Sequence, residues 1–155
     1  VTEPTKLPPS FRPPFVALAL VLLAWAVDWL IAPPRVVPWP WAWLGALAIV
    51  AAVALIAWAI GLFRRIGTTH DVRESPTRLV TTGPYRFTRN PMYVGLTTIL
   101  LGIGLLVGTW PFLVLPPVAF VLVVSAFFIQ REERILERAF GDEYEAFRRR
   151  VRRWL

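Results

Sequence analysis

The chain has 155 residues, of which 56% are hydrophobic and only 17% charged, with eight tryptophans and fifteen prolines and a mean hydropathy of +0.56. The length suits one domain, residues 1–155, and the composition is that of a membrane protein, since soluble chains are about a quarter charged. The absence of cysteine excludes disulfides, thiolate metal sites and a cysteine nucleophile; the single histidine argues against a metal site, and the net charge of +7 must be placed relative to a membrane before nucleic acid is considered.

The first apolar run is Phe15–Ile31, preceded by Lys6 and Arg12. A basic arm before an apolar run has the order of a signal peptide, but this run is long and three more follow, so it reads as a span. Asp28 is the one ionisable residue inside it. It lies near the outer end between Trp25 and Trp29, within reach of lipid headgroups. The second run, Trp39–Phe63, follows the connection "APPRVVPWPW". Next comes the polar segment 64–90, which holds six arginines. The third run is Pro91–Gly108, where Gly104 and Gly108 form a small-xxx-small pair suited to close helix packing. The fourth, Pro111–Ile129, follows the tight connection "GTWP", which makes these two spans an antiparallel hairpin; Pro116 and Pro117 are expected to kink it.

The expected fold is therefore all-α: four transmembrane helices, an extension of the last span through Phe140, and a C-terminal amphipathic helix carrying Phe140, Tyr144, Phe147, Val151 and Trp154 at spacings of three or four. Arginines crowd segment 64–90 and the tail from 130 to 155, which has eight, whereas the outer connections hold only Arg35. The positive-inside rule then places both termini and the middle loop in the cytoplasm, most simply at the inner membrane. Topology and anionic membrane lipids account for the basic charge, so no nucleic-acid partner is expected. The sequence sets no oligomeric state.

The polar chemistry lies on that basic side. Asn90 precedes Pro91 and reads as the N-cap of the third span, whose positive dipole end, beside Arg86 and Arg89, favours an anion. Glu132 and Glu133 follow about one turn after the last apolar residue of the fourth span, and Gly141 closes that helix. Together these groups suit a ligand with a carboxylate, a ribose diol and a cationic centre. S-adenosylmethionine is one such molecule, and other nucleotides match in part. The competing reading pairs Glu132 and Glu133 with Arg134, Arg138 or headgroups.

The stretch "LVTTGPYRFTRNPMYVG", followed about thirty-five residues later by "REERILERAFGDEYEAFRRRVRRWL", resembles the isoprenylcysteine carboxyl methyltransferase family and its phospholipid methyltransferase relatives, over Gly67–Leu155. The resemblance implies an integral membrane methyltransferase that uses S-adenosylmethionine. It carries a cofactor-binding role onto Arg89, Asn90, Pro91, Met92 and Tyr93, which match the family's R-H-P-x-Y stretch; onto Tyr85; onto Thr77, Arg78, Leu79 and Val80; onto His70; and onto Glu132, with Glu133 able to share its role. Two positions depart from the pattern. Asn90 replaces a histidine; it still donates and accepts hydrogen bonds but does not titrate near neutral pH. Phe128 stands where prenylcysteine enzymes carry an arginine that suits a substrate carboxylate, and Arg131 lies on a different part of the helix.

The implied reaction is in-line displacement at the activated methyl group, with the protein supplying alignment and exclusion of water. An ionised carboxylate acceptor needs no base. An amine acceptor does, and His70 is the one side chain with suitable chemistry near pH 7. A lipophilic or lipidated acceptor would approach between spans, meeting the cofactor near Tyr93 and Phe128. Phospholipid or lipid-amine N-methylation is the nearest alternative. A nicotinamide-dependent membrane reductase and a non-catalytic membrane protein that binds anionic lipid are the more distant ones.

Overall fold

Apolar runs of this length satisfy their backbone hydrogen bonds as helices. A computed structural model describes residues 12–67 and 77–155 and contains no strand among them. Helix α1 is Pro13–Ile31 and α2 is Trp43–Ile66, the latter entered through a 3₁₀ turn at Trp39–Trp41. A second 3₁₀ turn, Gly83–Arg86, precedes α3, Pro91–Val107. Helix α4, Trp110–Val123, runs through a π-helical turn at Val124–Ile129 into α5, Gln130–Phe140. After Gly141, α6 is Asp142–Arg150.

Three helical stretches are long and apolar enough to cross a membrane: Pro13–Ile31, Trp39–Ile66 and Trp110–Phe140. The apolar α3 is shorter, 17 residues, or about 26 Å at 1.5 Å per residue, a little under the ~30 Å hydrocarbon core. The 31 residues from Trp110 to Phe140 reach about 46 Å and overshoot that core by more than two turns. Glu132 and Glu133 lie in the last third of this stretch, at the end of the molecule where α3 begins.

Packing is extensive between α2 and α3, then between α3 and α4 and between α4 and α1, whereas α1 and α2 scarcely touch. Glycines set the two closest crossings. A side-chain carbon at Gly102 would lie 2.7 Å from the Gly45 carbonyl oxygen of α2. One at Gly104 would lie 2.7 Å from the Phe112 carbonyl of α4. Pro116 supplies no N–H to that Phe112 carbonyl, so it has no α-helical donor where it faces Gly104. The helix itself continues through Pro116 and Pro117, and its departure from α register comes later, at Val124–Ile129. Gly108 does not extend the packing stripe. It ends α3 in a left-handed conformation, φ +79, directly against the Arg35 guanidinium.

At the tryptophan-rich end the two connections are tied together. Val36 and Val37 donate their N–H groups to the Gly108 carbonyl at 2.8 and 3.1 Å. Arg35 donates to the Leu106 carbonyl at 3.2 Å and stacks over Trp39. A cation on the last carbonyls of a helix is favourable, so Arg35 serves as a cap for α3. Asp28 accepts the Ala32 N–H through its backbone carbonyl, and its Oδ1 is buried without a hydrogen-bond partner.

The outer faces of α1 and α2 remain apolar and exposed, with Leu18, Leu22, Leu47 and Val50 more than half exposed, as lipid-facing helices require. The amphipathic C-terminal helix behaves differently from the sequence expectation. It ends at Arg150, and its apolar face covers protein rather than bilayer: Tyr144 and Phe147 are buried with Ala59, Val80 and Tyr85. The end of α2 and the segment before α3 offer an apolar surface that periodicity along one helix does not reveal. Beneath this cluster, Ala17, Tyr93, Leu100, Phe120, Val124, Phe128 and Ile129 form a second one inside the helical layer.

Candidate functional site

The start of α3, the start of α5, the 3₁₀ turn and the end of α2 converge on one cavity of about 360 Å³. Asn90 occupies the N-cap position through its backbone, accepting the Val94 N–H at 3.0 Å, but its side chain does not cap the helix. The amide instead donates from Nδ2 to the Arg153 carbonyl at 2.9 Å. The first turn of α3 therefore opens on the cavity without a side-chain cap, and Pro91, Met92 and Tyr93 all line it. A helix N-terminus of this kind favours an anionic group.

The two neighbouring glutamates diverge. Glu132 accepts a 2.7 Å hydrogen bond from the Tyr93 hydroxyl, across the cavity wall from α3. Glu133 turns the other way and pairs with Arg89 at 2.9 Å and with Arg153 at 2.6 Å. Neither pattern is the pairing with Arg134 or Arg138 that the sequence left open. Arg89 also donates from Nη1 to the Tyr144 hydroxyl at 3.2 Å, while its Nε is buried without a partner. Arg89 lines the cavity through other atoms, and its Nε is closed to anything the size of a water molecule.

Two phenols share the region with these charges. Burial, and then the Glu132 carboxylate, push the Tyr85 hydroxyl well above its usual range. Tyr144 is raised first by burial and then by Glu133, against the lowering effect of Arg89. Both hydroxyls stay protonated at neutral pH and can donate. Leu79, Val80, Leu136 and Phe147 supply flat apolar walls. The cavity thus offers a carboxylate, an uncapped helix start, phenol groups and apolar faces, which suit a zwitterionic nucleoside.

Of the residues assigned to cofactor binding, Arg78, Leu79, Val80, Tyr85, Arg89, Asn90, Pro91, Met92, Tyr93, Glu132 and Glu133 line this cavity. Thr77 is exposed and does not line it. His70 lies outside the described residues. Phe128, expected at the acceptor, is instead buried in the cluster beneath, packed with Tyr93, and is not part of the cavity wall. Tyr144, Phe147 and Arg12 line the cavity without having been singled out for it. For the first two the signal was present, as the apolar stripe of α6, and was read toward lipid.

The cavity has an apolar continuation. Pro13 and Pro14 of α1, Ile56 and Ile60 of α2, and Leu96 of α3 line it on the membrane side, where α1 and α2 scarcely touch.

A model of the family described as phospholipid methyltransferase matches residues 40–143. An uncharacterized protein of Haemophilus influenzae is 45% identical over 67 residues, which is 41% of this chain and 100% of that protein. The protein-S-isoprenylcysteine O-methyltransferase of Schizosaccharomyces pombe is 42% identical over 82 residues, 51% of this chain and 33% of the yeast protein. The chain therefore matches all of the bacterial relative but only about a third of the yeast one.

Proposed function

The chain belongs to the phospholipid methyltransferase family, and on that premise we propose that it is a membrane methyltransferase using S-adenosylmethionine, with a lipophilic acceptor. The observation that carries the reading is the single cavity that joins a polar, charge-bearing end to an apolar cleft between α1 and α2. One end suits the donor and the other suits a lipid chain.

In this reading Glu132 accepts from the ribose hydroxyls of the donor. The uncapped start of α3 takes its carboxylate, and Leu79, Val80, Leu136 and Phe147 cover its base. The donor supplies a sulfonium methyl group already activated for displacement. The chain's own part is to fix the line of attack and to exclude water. Tyr93 does this by spanning the two functions: its ring packs in the apolar cluster and its hydroxyl holds Glu132. The basic end, with the cavity, faces the cytoplasm by the positive-inside rule.

The acceptor enters by the cleft between α1 and α2. Arg12 lines the cavity just before the first turn of α1, and we assign it to the acceptor's anionic group, the role that Phe128 does not fill. Arg12→Gln should raise the KM for an anionic lipid acceptor by about tenfold, the value of one charge-assisted hydrogen bond, while leaving donor affinity unchanged. Equal KM values for variant and parent would remove that assignment.

Thermal unfolding in detergent tests the donor. S-adenosylmethionine at 100 times its Kd should stabilise the protein by about 2.7 kcal/mol, roughly 5–10 °C in Tm for a chain of this size. Its demethylated product should also shift Tm, and NADPH should not. A shift with NADPH alone would point to the reductase class, and none with any nucleotide to a non-catalytic protein. Radiolabelled methyl groups transferred into lipid then identify the acceptor by base lability, since esters hydrolyse and methylamines do not.

A further inference from the structure

We propose that Met92 is a peroxide-sensitive modification site, whose oxidation to the sulfoxide shuts the methyl-donor cavity to its ligand. The inference rests on the donor occupying the cavity described above. The 155 residues hold no cysteine and one methionine, so their sulfur chemistry is confined to a single thioether. That residue lines the cavity. It is half-buried, and it packs against the apolar cluster of Ala59, Val80, Tyr85, Tyr144 and Phe147. All of these except Ala59 line the same cavity. The methionine therefore belongs to the apolar wall of the donor site, apart from the cluster beneath it inside the helical layer.

A thioether suits that wall, because it is apolar, polarizable and only a weak hydrogen-bond acceptor. Hydrogen peroxide changes this in one step. Its O–O bond breaks, one oxygen bonds to the sulfur, and the other leaves as water; the sulfur gives up two electrons and the peroxide takes them. No further reactant is needed. The new oxygen is a strong acceptor, and the position of Met92 gives it a competing use. Met92 is the second residue of α3 and the first with an N–H, because Pro91 has none. No side chain caps this turn, and the Asn90 amide is drawn away to the Arg153 carbonyl. An acceptor carried in the first turn of a helix can reach back to its leading N–H groups, as the glutamate of a capping box does. The oxidised side chain thus acts as an internal cap on the helix start that takes the donor's carboxylate. It also sets a polar oxygen against the wall that covers the donor's base.

The test treats the protein in detergent with hydrogen peroxide at a concentration that spares tryptophan. Peptide mass mapping locates the added oxygen, and calorimetry gives the affinity for S-adenosylmethionine before and after. Met92 should take up one oxygen in the folded protein, and the affinity should fall by about tenfold or more. Bound S-adenosylmethionine, whose sulfonium does not compete for peroxide, should slow the oxidation several-fold. Met92→Leu is the control: whatever its own affinity, that value should be the same before and after treatment. Oxygen uptake at Met92 without loss of affinity would overturn the proposal. So would uptake that requires unfolding, or an equal loss in treated Met92→Leu. If the untreated protein binds no S-adenosylmethionine at all, the proposed function itself falls, and this inference with it.

Discussion

Glu132→Gln is expected to weaken S-adenosylmethionine binding by about ten- to a hundredfold, because hydrogen bonds to a charged acceptor contribute about 1.5–3 kcal/mol. Glutamine is the informative substitution. It keeps an oxygen for the Tyr93 hydroxyl, now 2.7 Å from Oε1, so the wall between α3 and α5 holds while the charge is lost. Alanine would remove both and leave the buried end of Tyr93 without its acceptor, mixing loss of binding with loss of stability. Glu137→Gln is the matched control, on the same helix but about half exposed and paired with Arg148; surface pairs of this kind contribute little. The Tyr85 hydroxyl provides an independent readout. Glu132 is the second cause of its raised pKa, so in the variant it moves back toward the ordinary range while burial still holds it above. Calorimetry gives the affinities and ultraviolet titration the phenol. Unchanged affinity in Glu132→Gln would remove this residue from the donor site.

The second large effect is on stability. Gly104→Ala should lower Tm by about 5–10 °C, since overpacking a tight contact costs about 1–3 kcal/mol and each kcal/mol is worth about 2–4 °C here. The added carbon would meet backbone: the Phe112 carbonyl oxygen at 2.7 Å and Leu113 Cα at 2.9 Å. Backbone inside a helix does not swing aside as a side chain would, so α3 and α4 must separate. Gly61→Ala is the opposite case. Nothing lies within 4 Å of its new carbon, and Gly61 sits inside α2 with ordinary helical geometry. There the gain in helix propensity, up to about 1 kcal/mol, goes unopposed, and Tm should hold or rise. If both variants melt alike, the close crossing of α3 and α4 is not what holds them together.

Much of this was legible along the chain. Long apolar runs demand helices because lipid offers the backbone no partners; all four appear, within a few residues of their expected bounds. The continuation of the fourth apolar helix through Phe140 was also readable. Tyr85, the motif residues Arg89 to Tyr93 and the two glutamates converge on one cavity although about forty residues separate them. Legibility failed where a face had to be chosen. The stripe of α6 is apolar whether it meets lipid or protein, and the sequence holds no term for which. Asn90 was read as a local cap, but its amide serves a carbonyl sixty-three residues away. Phe128 was placed at the acceptor by the family resemblance, but its side chain is buried in the apolar cluster that includes Tyr93.

What the sequence determined by itself was the class of structure and the chemical inventory, because hydropathy, helix length and residue type act locally. What only the tertiary structure decided was partnership. It sends Glu132 to Tyr93 and Glu133 to the two arginines, although these glutamates are adjacent and identical in kind. The reason is geometric. Neighbours on a helix point about 100° apart, so one meets Tyr93 of α3 and the other meets Arg89 and Arg153, and no local rule ranks those two surfaces.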